Sequence, residues 1–427
     1  MTHIALLCPA ASGHLNPMTA LGHGLLRRGH RVSLVGLADA RETVLAAGLE
    51  FVPIGAAEFP EGALRQLLAR VGALGGLAAA RATMALLGRT TAMVLREAPP
   101  VLRAIGAEAL LIDQVSFGGA TVADLLELPF VTVSSALLLN REPDVAPATV
   151  GWPHWPTPLG RLRNRLGHRL LARLYRPVLE PVATCRRQAG LAPLTDVRPS
   201  ELQRAQICQQ PAEFEYPRRA LPPGFHFTGP LLDPASRGPV PFPWDQLTGQ
   251  PLIYASLGTV QNRHLALFSA IAAACCHLDA QLVIALGGGS RPADLPPLPG
   301  SPLVVARAPQ LDLLPLSALT ITHAGMNTVL ESLSQGVPMV AIPITNDQPG
   351  VAARIAWTGT GAVVPLRRLT PARLRRAVDA VWHSDTYRCN ARHLQRAIAR
   401  AGGVARAADI VEQAIAEQAL PTGRGLE

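Results

Sequence analysis

Lysine is absent from this 427-residue chain, and its formal charge of +9 rests on arginine alone. A lysine-free composition rich in Ala, Arg and Pro reads as the bias of a GC-rich genome rather than as a nucleic-acid-binding surface, so no nucleic-acid partner is expected. Cysteine is sparse. Six residues at irregular positions, two of them adjacent at Cys275 and Cys276, form no disulfide framework. No Cys-x-x-Cys or His-Glu-x-x-His pattern occurs, so no bound metal is expected. Charge-free apolar runs are all too short to span a bilayer. The chain start also lacks the basic stretch and cleavage site of a secretory signal, so a cytoplasmic location is expected.

What the chain does contain is an alternation of short apolar strands and Ala/Leu-rich helices. That alternation indicates an α/β fold with parallel sheets, and the length suits two domains with ample cores. Nine prolines fall between Pro217 and Pro251 in a segment of low periodicity, a stiff interdomain connection. The expected organisation is therefore a first domain over residues 1–216, a linker over 217–250 and a second domain over 251–420. The tail from Pro421 to Glu427 reads as disordered.

The densest information lies between Arg307 and Gln348. Leu319 to Thr322 is a short buried-strand pattern, and Gly325 then permits a tight turn. Asn327 and Thr328 open the periodic run Val329, Leu330, Leu333, which places a helix start there. Free N–H groups and the positive dipole end make such a start an anion site, suited to phosphate. His323 precedes it and can donate to a phosphate oxygen or balance its charge. Glu331, one turn on, can hold ribose hydroxyls. Asp347 and Gln348 follow the strand Met339 to Ile342 and suit sugar hydroxyls. Taken singly, His323 could be a cap and Asp347–Gln348 a turn. Their order argues for a common purpose, because open α/β sheets bind ligands beyond the carboxyl ends of their strands.

A second group lies near the chain start. Ile4 to Cys8 is an uninterrupted apolar strand, and Pro9 to Pro17 reads as a loop before a helix that ends at Arg28–Gly29. His14 in that loop is a general-base candidate, since an imidazole titrates near neutrality. Leu110 to Asp113 ends another strand on a carboxylate, which either orients a base or caps the helix at Gly118–Gly119. Two glycine turns, Ser256-Leu257-Gly258-Thr259 and Gly287 to Gly289, each follow an apolar strand.

These elements together resemble the UDP-dependent glycosyltransferases, an inverting family that includes plant and bacterial natural-product enzymes, and the likeness spans most of the chain. The resemblance implies a GT-B architecture of two facing Rossmann-like domains with the site in the cleft, and last helices, here after Trp382, that cross back to the first domain. It implies that Pro309 and Gln310 touch the base and that His323, Gly325, Asn327 and Thr328 form the diphosphate loop. Glu331 would bind the ribose, and Asp347 and Gln348 the donor sugar. Ser256, Gly258 and Thr259 would let backbone approach the diphosphate. His14, in the family's Gly-His-x-x-Pro element, would be the catalytic base, hydrogen-bonded to Asp113. Arg307 stands where plant members carry a Trp that stacks on uracil; a guanidinium can also stack on a base. Ala324 and Met326 replace the plant Cys and Trp. No cofactor is implied beyond UDP-glucose as co-substrate, and no metal is strictly required.

Two features bear on the acceptor. From Arg161 to Gly190 there are eight arginines against one acid, Glu180. Leu162, Leu166, Leu170 and Leu174 recur beside Arg161, Arg165, Arg169 and Arg173. This helix either lies on an anionic membrane, as a peripheral contact at the inner face, or packs its leucines on the first domain. Residues Leu64 to Ile105 are rich in small and apolar types and either line an acceptor channel or form core helices. With Trp152 and Trp155 nearby, they point to a lipophilic acceptor. The stretch Thr345 to Ile355 is similar to one branch of the family, the bacterial zeaxanthin glucosyltransferases, which implies a carotenoid. A macrolide or polyketide acceptor is the alternative. A nucleotide-sugar epimerase and a non-catalytic activator are readings of another class.

Overall fold

The computed structural model describes residues 1–72, 74, 76–194, 200–259 and 265–416; the tail read as disordered lies outside them. Thirteen strands form two wholly parallel sheets. The first contains β1 (His3–Leu7), β2 (Arg31–Gly36), β3 (Glu50–Pro53), β4 (Ala109–Asp113), β5 (Phe130–Ser134), β6 (Gln203–Cys208) and β7 (Phe225–Phe227). Its order is β3-β2-β1-β4-β5-β6-β7. The second contains β8 (Leu252–Ser256), β9 (Gln281–Ala285), β10 (Leu303–Val305), β11 (Ser317–Thr322), β12 (Met339–Ala341) and β13 (Gly361–Val363), in the order β10-β9-β8-β11-β12-β13.

The apolar runs are continuous because helices cover both faces of each sheet. In β1 the alternation of side chains sends Ile4 and Leu6 to one face and Ala5 and Leu7 to the other. The first face packs on Leu15, Met18 and Leu21 of the helix Ser12–Arg27. It also packs on Ala407, Val411 and Ala414 of the helix Gly403–Ala416, so the chain's last described helix returns to the first sheet. The opposite face packs on Met93, Ala98 and Leu102 of the helix Gly76–Ala104 and on Val182. That half of the Ala/Leu-rich stretch is core.

The structure refines two sequence readings. The proline-rich segment is not merely connective: Phe225–Phe227 pairs with β6, and Asp233 Oδ2 lies 2.8 Å from His23 Nδ1 on the first domain. The basic helix, Pro158–Leu174, does not pack its leucines. It buries Gly160, Asn164 and Gly167 instead, and Leu162, Leu166 and Leu170 are exposed. The glycines explain the choice. A Cβ at Gly160 would meet the Trp155 carbonyl at 1.9 Å, and one at Gly167 the Trp152 ring at 2.8 Å. Among the described residues no helix is long and apolar enough to cross a membrane. All six cysteines are free.

Each sheet reverses its winding once, between β1 and β4 and between β8 and β11. At such a switch point the loops diverge and leave a crevice beyond the strand ends. The loops there carry His14, Asp113, Ser256 to Thr259 and His323.

Candidate active site

At the first switch point β1 leads into the helix Ser12–Arg27, which begins earlier than the prolines suggested and places His14 in its first turn. Pro17 lies inside that helix. It has no N–H to return to the carbonyl four residues back, and that carbonyl, of Gly13, instead accepts from Asn327 Nδ2 of the second domain at 3.1 Å. β4 runs parallel beside β1 with Ile112 opposite Leu7, which brings the β4 terminus to the same edge. There His14 Nδ1 lies 3.1 Å from Asp113 Oδ2. Asp113 is wholly buried, and its other oxygen accepts the Val115 N–H at 2.9 Å. The carboxylate holds the His14 proton on Nδ1 and leaves Nε2 as a lone-pair acceptor. Burial lowers the His14 pKa, but the charge and hydrogen bond of Asp113, with Asp347 beyond, outweigh it and the value rises above 6.5.

At the second switch point three residues interlock. Gly258, with φ +76°, and Gly325 both lie against the His323 ring; a Cβ on either would stand 2.7 or 2.5 Å from it. Only glycine permits this approach. Burial drops the His323 pKa to about 4, with a backbone bond at Ser256 offsetting part of the fall. Of the two roles expected of His323, donation through a neutral N–H is the one open to it at neutral pH. Its Nδ1 is buried and has no protein partner. Ala324 takes φ +66°, and the helix Met326–Ser334 follows with Gly325 as its unliganded N-cap. The N–H groups of its first turn therefore lie open beside His323.

Glu331 is almost fully buried. Gln310 Nε2 and Thr328 Oγ1 are 3.4 Å apart, and Gln310 Nε2 also donates to Glu331 Oε2. Arg237 Nη2 donates to Glu331 Oε1 at 2.5 Å, and Tyr254 Oη to Gln310 Oε1 at 3.1 Å. Pro309 caps the short helix that carries Gln310. Arg307 lies flat on Gly288 of the triple-glycine turn, where a Cβ would sit 2.9 Å from its Nε. Ser256 Oγ accepts the Gly258 N–H at 3.3 Å, and Thr259 reaches Ser12 of the other domain at 3.5 Å. Asp347 Oδ2 accepts the Leu137 N–H across the cleft at 3.1 Å; burial raises its pKa, against that bond and the nearby His14. Gln348 turns back on its own loop, its Oε1 accepting the N–H groups of Ile344 and Thr345 at 2.8 and 2.9 Å, with Nε2 as its remaining donor group.

The structure thus assembles three polar groups: His14, Asp113 and Asp347; Gly258, His323 and Gly325; and Gln310, Thr328 and Glu331. Asn327 ties the first two, because its Oδ1 accepts from Gln209 Nε2 at 3.0 Å while its Nδ2 holds Gly13. Sequence reasoning missed Arg237, Tyr254, Leu137 and Gln209. Arg237 sits in a proline-rich stretch with no motif, and only the three-dimensional contact with Glu331 singles it out. Among the described residues no group of three or more His, Cys, Asp or Glu is placed to hold a metal ion.

Two parallel-sheet domains joined across such a cleft are the architecture of the GT-B glycosyltransferases. The UDP-glucoronosyl and UDP-glucosyl transferase family model matches residues 96–399, and the N-terminal domain model of glycosyltransferase family 28 matches residues 4–104. The chain belongs to the UDP-glucoronosyl and UDP-glucosyl transferase family. It is 32% identical to a zeaxanthin glucosyltransferase of Pantoea ananas, covering 97% of this chain and 96% of that one. A zeaxanthin glucosyltransferase of Pseudescherichia vulneris is 31% identical, covering 97% and 98%. Among solved structures, the calicheamicin glycosyltransferase CalG4 superposes with a TM-score of 0.74 at 27% identity, covering 98% of this chain and 100% of that one.

Proposed function

We propose that this enzyme transfers glucose from UDP-glucose, with inversion, to a hydroxyl of a lipophilic acceptor, zeaxanthin or a diol of that kind. The observation that carries the mechanism is the His14–Asp113 pair, 3.1 Å apart at one switch point, joined through Asn327 to the helix start at the other. His14 Nε2 takes the proton of the acceptor hydroxyl, and the imidazolium is stabilised by Asp113. The hydroxyl oxygen attacks the anomeric carbon from the face opposite the diphosphate. The bond from that carbon to the phosphate oxygen breaks, UDP leaves, and the proton passes from His14 to solvent. The neutral His323, the open N–H groups of Met326 to Thr328 and the loop Ser256 to Thr259 meet the developing charge on the diphosphate, so no metal is strictly required. Glu331 takes the ribose hydroxyls, Pro309, Gln310 and Arg307 the base, and Asp347 with Gln348 the sugar.

The acceptor assignment leans on the two zeaxanthin glucosyltransferases. A macrolide or polyketide acceptor is the second reading, supported by the likeness to CalG4, the calicheamicin glycosyltransferase. A lipophilic diol dissolves in a bilayer, so the enzyme on this view works at a membrane surface.

The test is incubation with UDP-glucose and zeaxanthin, with and without a chelator, watching for mono- and diglucoside by mass. His14→Ala should cut turnover by about 10²-fold or more and leave UDP affinity nearly intact. Glu331→Ala should instead weaken UDP binding. Turnover unchanged in His14→Ala rules out the base assignment, and conversion of donor alone, without acceptor, would turn the case toward an epimerase.

A further inference from the structure

The helix Pro158–Leu174 has two faces with opposite character. Its inner face is drawn tight by Gly160, Asn164 and Gly167. Its outer face carries Leu159, Leu162, Leu166 and Leu170, which are 67, 51, 48 and 63% exposed. Trp155 just before it and Leu179 in the following helix Arg176–Gln188 are also exposed, at 45 and 41%. Single exposed leucines are ordinary, but a contiguous row of them marks a surface that meets something.

Charge says what. Arg165, Arg169 and Arg173 run along one flank of the leucine row and are exposed. Arg161 is paired with Asp144, and Arg163 lies over the Trp152 and Trp155 rings, so those two are committed to the fold. The outer three form no ion pair among the described residues. An apolar row bordered by arginines suits an interface with acyl chains inside and anionic headgroups outside. A second copy of this chain would set arginine row against arginine row.

Position adds the purpose. The helix ends at Tyr175, whose ring meets Phe117 edge-on at 5.6 Å, four residues past Asp113 in the chain. The Tyr175 hydroxyl is pushed up by burial, with the charge of Asp347 adding to the rise. One end of the exposed helix therefore stands at the catalytic cleft.

We propose that the outer face of Pro158–Leu174 docks on an anionic lipid bilayer and sets the acceptor entrance against it. The purpose rests on the lipophilic-acceptor reading; the docking does not, and the experiment separates the two. The full chain is sedimented with phosphatidylglycerol-containing vesicles and with pure phosphatidylcholine vesicles, at low and high salt. Binding is expected to the anionic vesicles only and to weaken with salt. An arginine near an anionic surface is worth about fivefold in affinity, so Arg165→Gln, Arg169→Gln and Arg173→Gln together should cost on the order of a hundredfold. Leu162→Ser, Leu166→Ser and Leu170→Ser together should abolish sedimentation. These side chains are exposed, so both triple variants should keep their melting temperature and their kcat/KM for a water-soluble alcohol acceptor. Transfer to an acceptor embedded in anionic vesicles should fall with vesicle affinity. Vesicle binding with no transfer to any lipophilic acceptor would sink the acceptor reading and leave the docking standing. Absence of binding by the unaltered protein, or undiminished binding by the leucine triple, overturns the docking. So does a dimer in dilute buffer that the leucine triple converts to monomer without any vesicle binding.

Discussion

His14 is influenced by one carboxylate from each domain, and that fixes its pH behaviour. Its pKa is raised, so the base form needed for proton removal appears only above a value that itself lies above 6.5. The acid limb of kcat/KM should therefore bend above 6.5. In Asp113→Asn burial is left as the main influence, and burial lowers an imidazole pKa. The bend should then move to lower pH while the plateau falls by roughly 10²–10⁴-fold, since the tautomer is no longer held. A pH–rate profile of the two proteins checks both; a bend that stays in place would mean that Asp113 is only a helix-capping residue. His323, at about 4, should contribute no bend between pH 5 and 9. Side chains of this kind were legible in the sequence because each sits within a few positions of a strand end. Gln209, Leu137 and Arg237 were not, because their partners lie 118, 210 and 94 residues away and no local pattern records the pairing.

On the proposed reading the helix Met326–Ser334 serves as an anion site, and Gly325 at its start leaves the room that the His323 ring occupies. Gly325→Ala would drive a methyl to 2.5 Å from the His323 ring, so the ring or the turn must shift by several tenths of an ångström. Since a misplacement near 1 Å can cost about 10²-fold, UDP affinity should fall by roughly 10–100-fold. The melting temperature should change little, because the turn borders the cleft. Titration calorimetry reads the first and a thermal melt the second; intact affinity would mean the ring does not meet the diphosphate. The helix start itself was legible to within a residue. The start near His14 was not. Prolines at 9 and 17 read as a loop, yet Pro17 is tolerated inside a helix because another domain satisfies the carbonyl it strands. Propensity cannot anticipate a partner 314 residues away.

At the scale of the molecule, the parallel α/β character was legible because strands covered on both faces must be apolar along most of their length, as β1, β4 and β8 are. The contacts that join the domains were not. Leu137, Ala148 and Phe214 of the first domain pack with Met326, Leu330, Val351 and Ile355 of the second. Beneath them the fully buried Arg354 Nη2 meets Glu215 Oε1 at 2.6 Å and lies 4.2 Å above the Tyr216 ring. Burial would raise the Glu215 carboxyl, but Arg354 and Arg218 hold it below the ordinary carboxylate range. Arg354→Met should leave the buried Glu215 with Arg218 as its one remaining cation and cost about 3–5 kcal/mol. Arg354→Met with Glu215→Gln should recover part of the loss, since the charge is removed with its partner. Urea denaturation measures both, and equal stability of the single and double variants would mean the pair is not coupled.

The stranded Gly13 carbonyl also sets how the cleft opens. When Asn327 lets go, water can take its place, and such an exchange is worth only about 0.5–1.5 kcal/mol. The clasp sits on the residue next to the base and on the helix that would hold the diphosphate, so letting UDP out unfastens both at little cost. A parting of the domains would on these energies cost less at this edge, where water can replace each polar contact, than at the buried Glu215–Arg354 root.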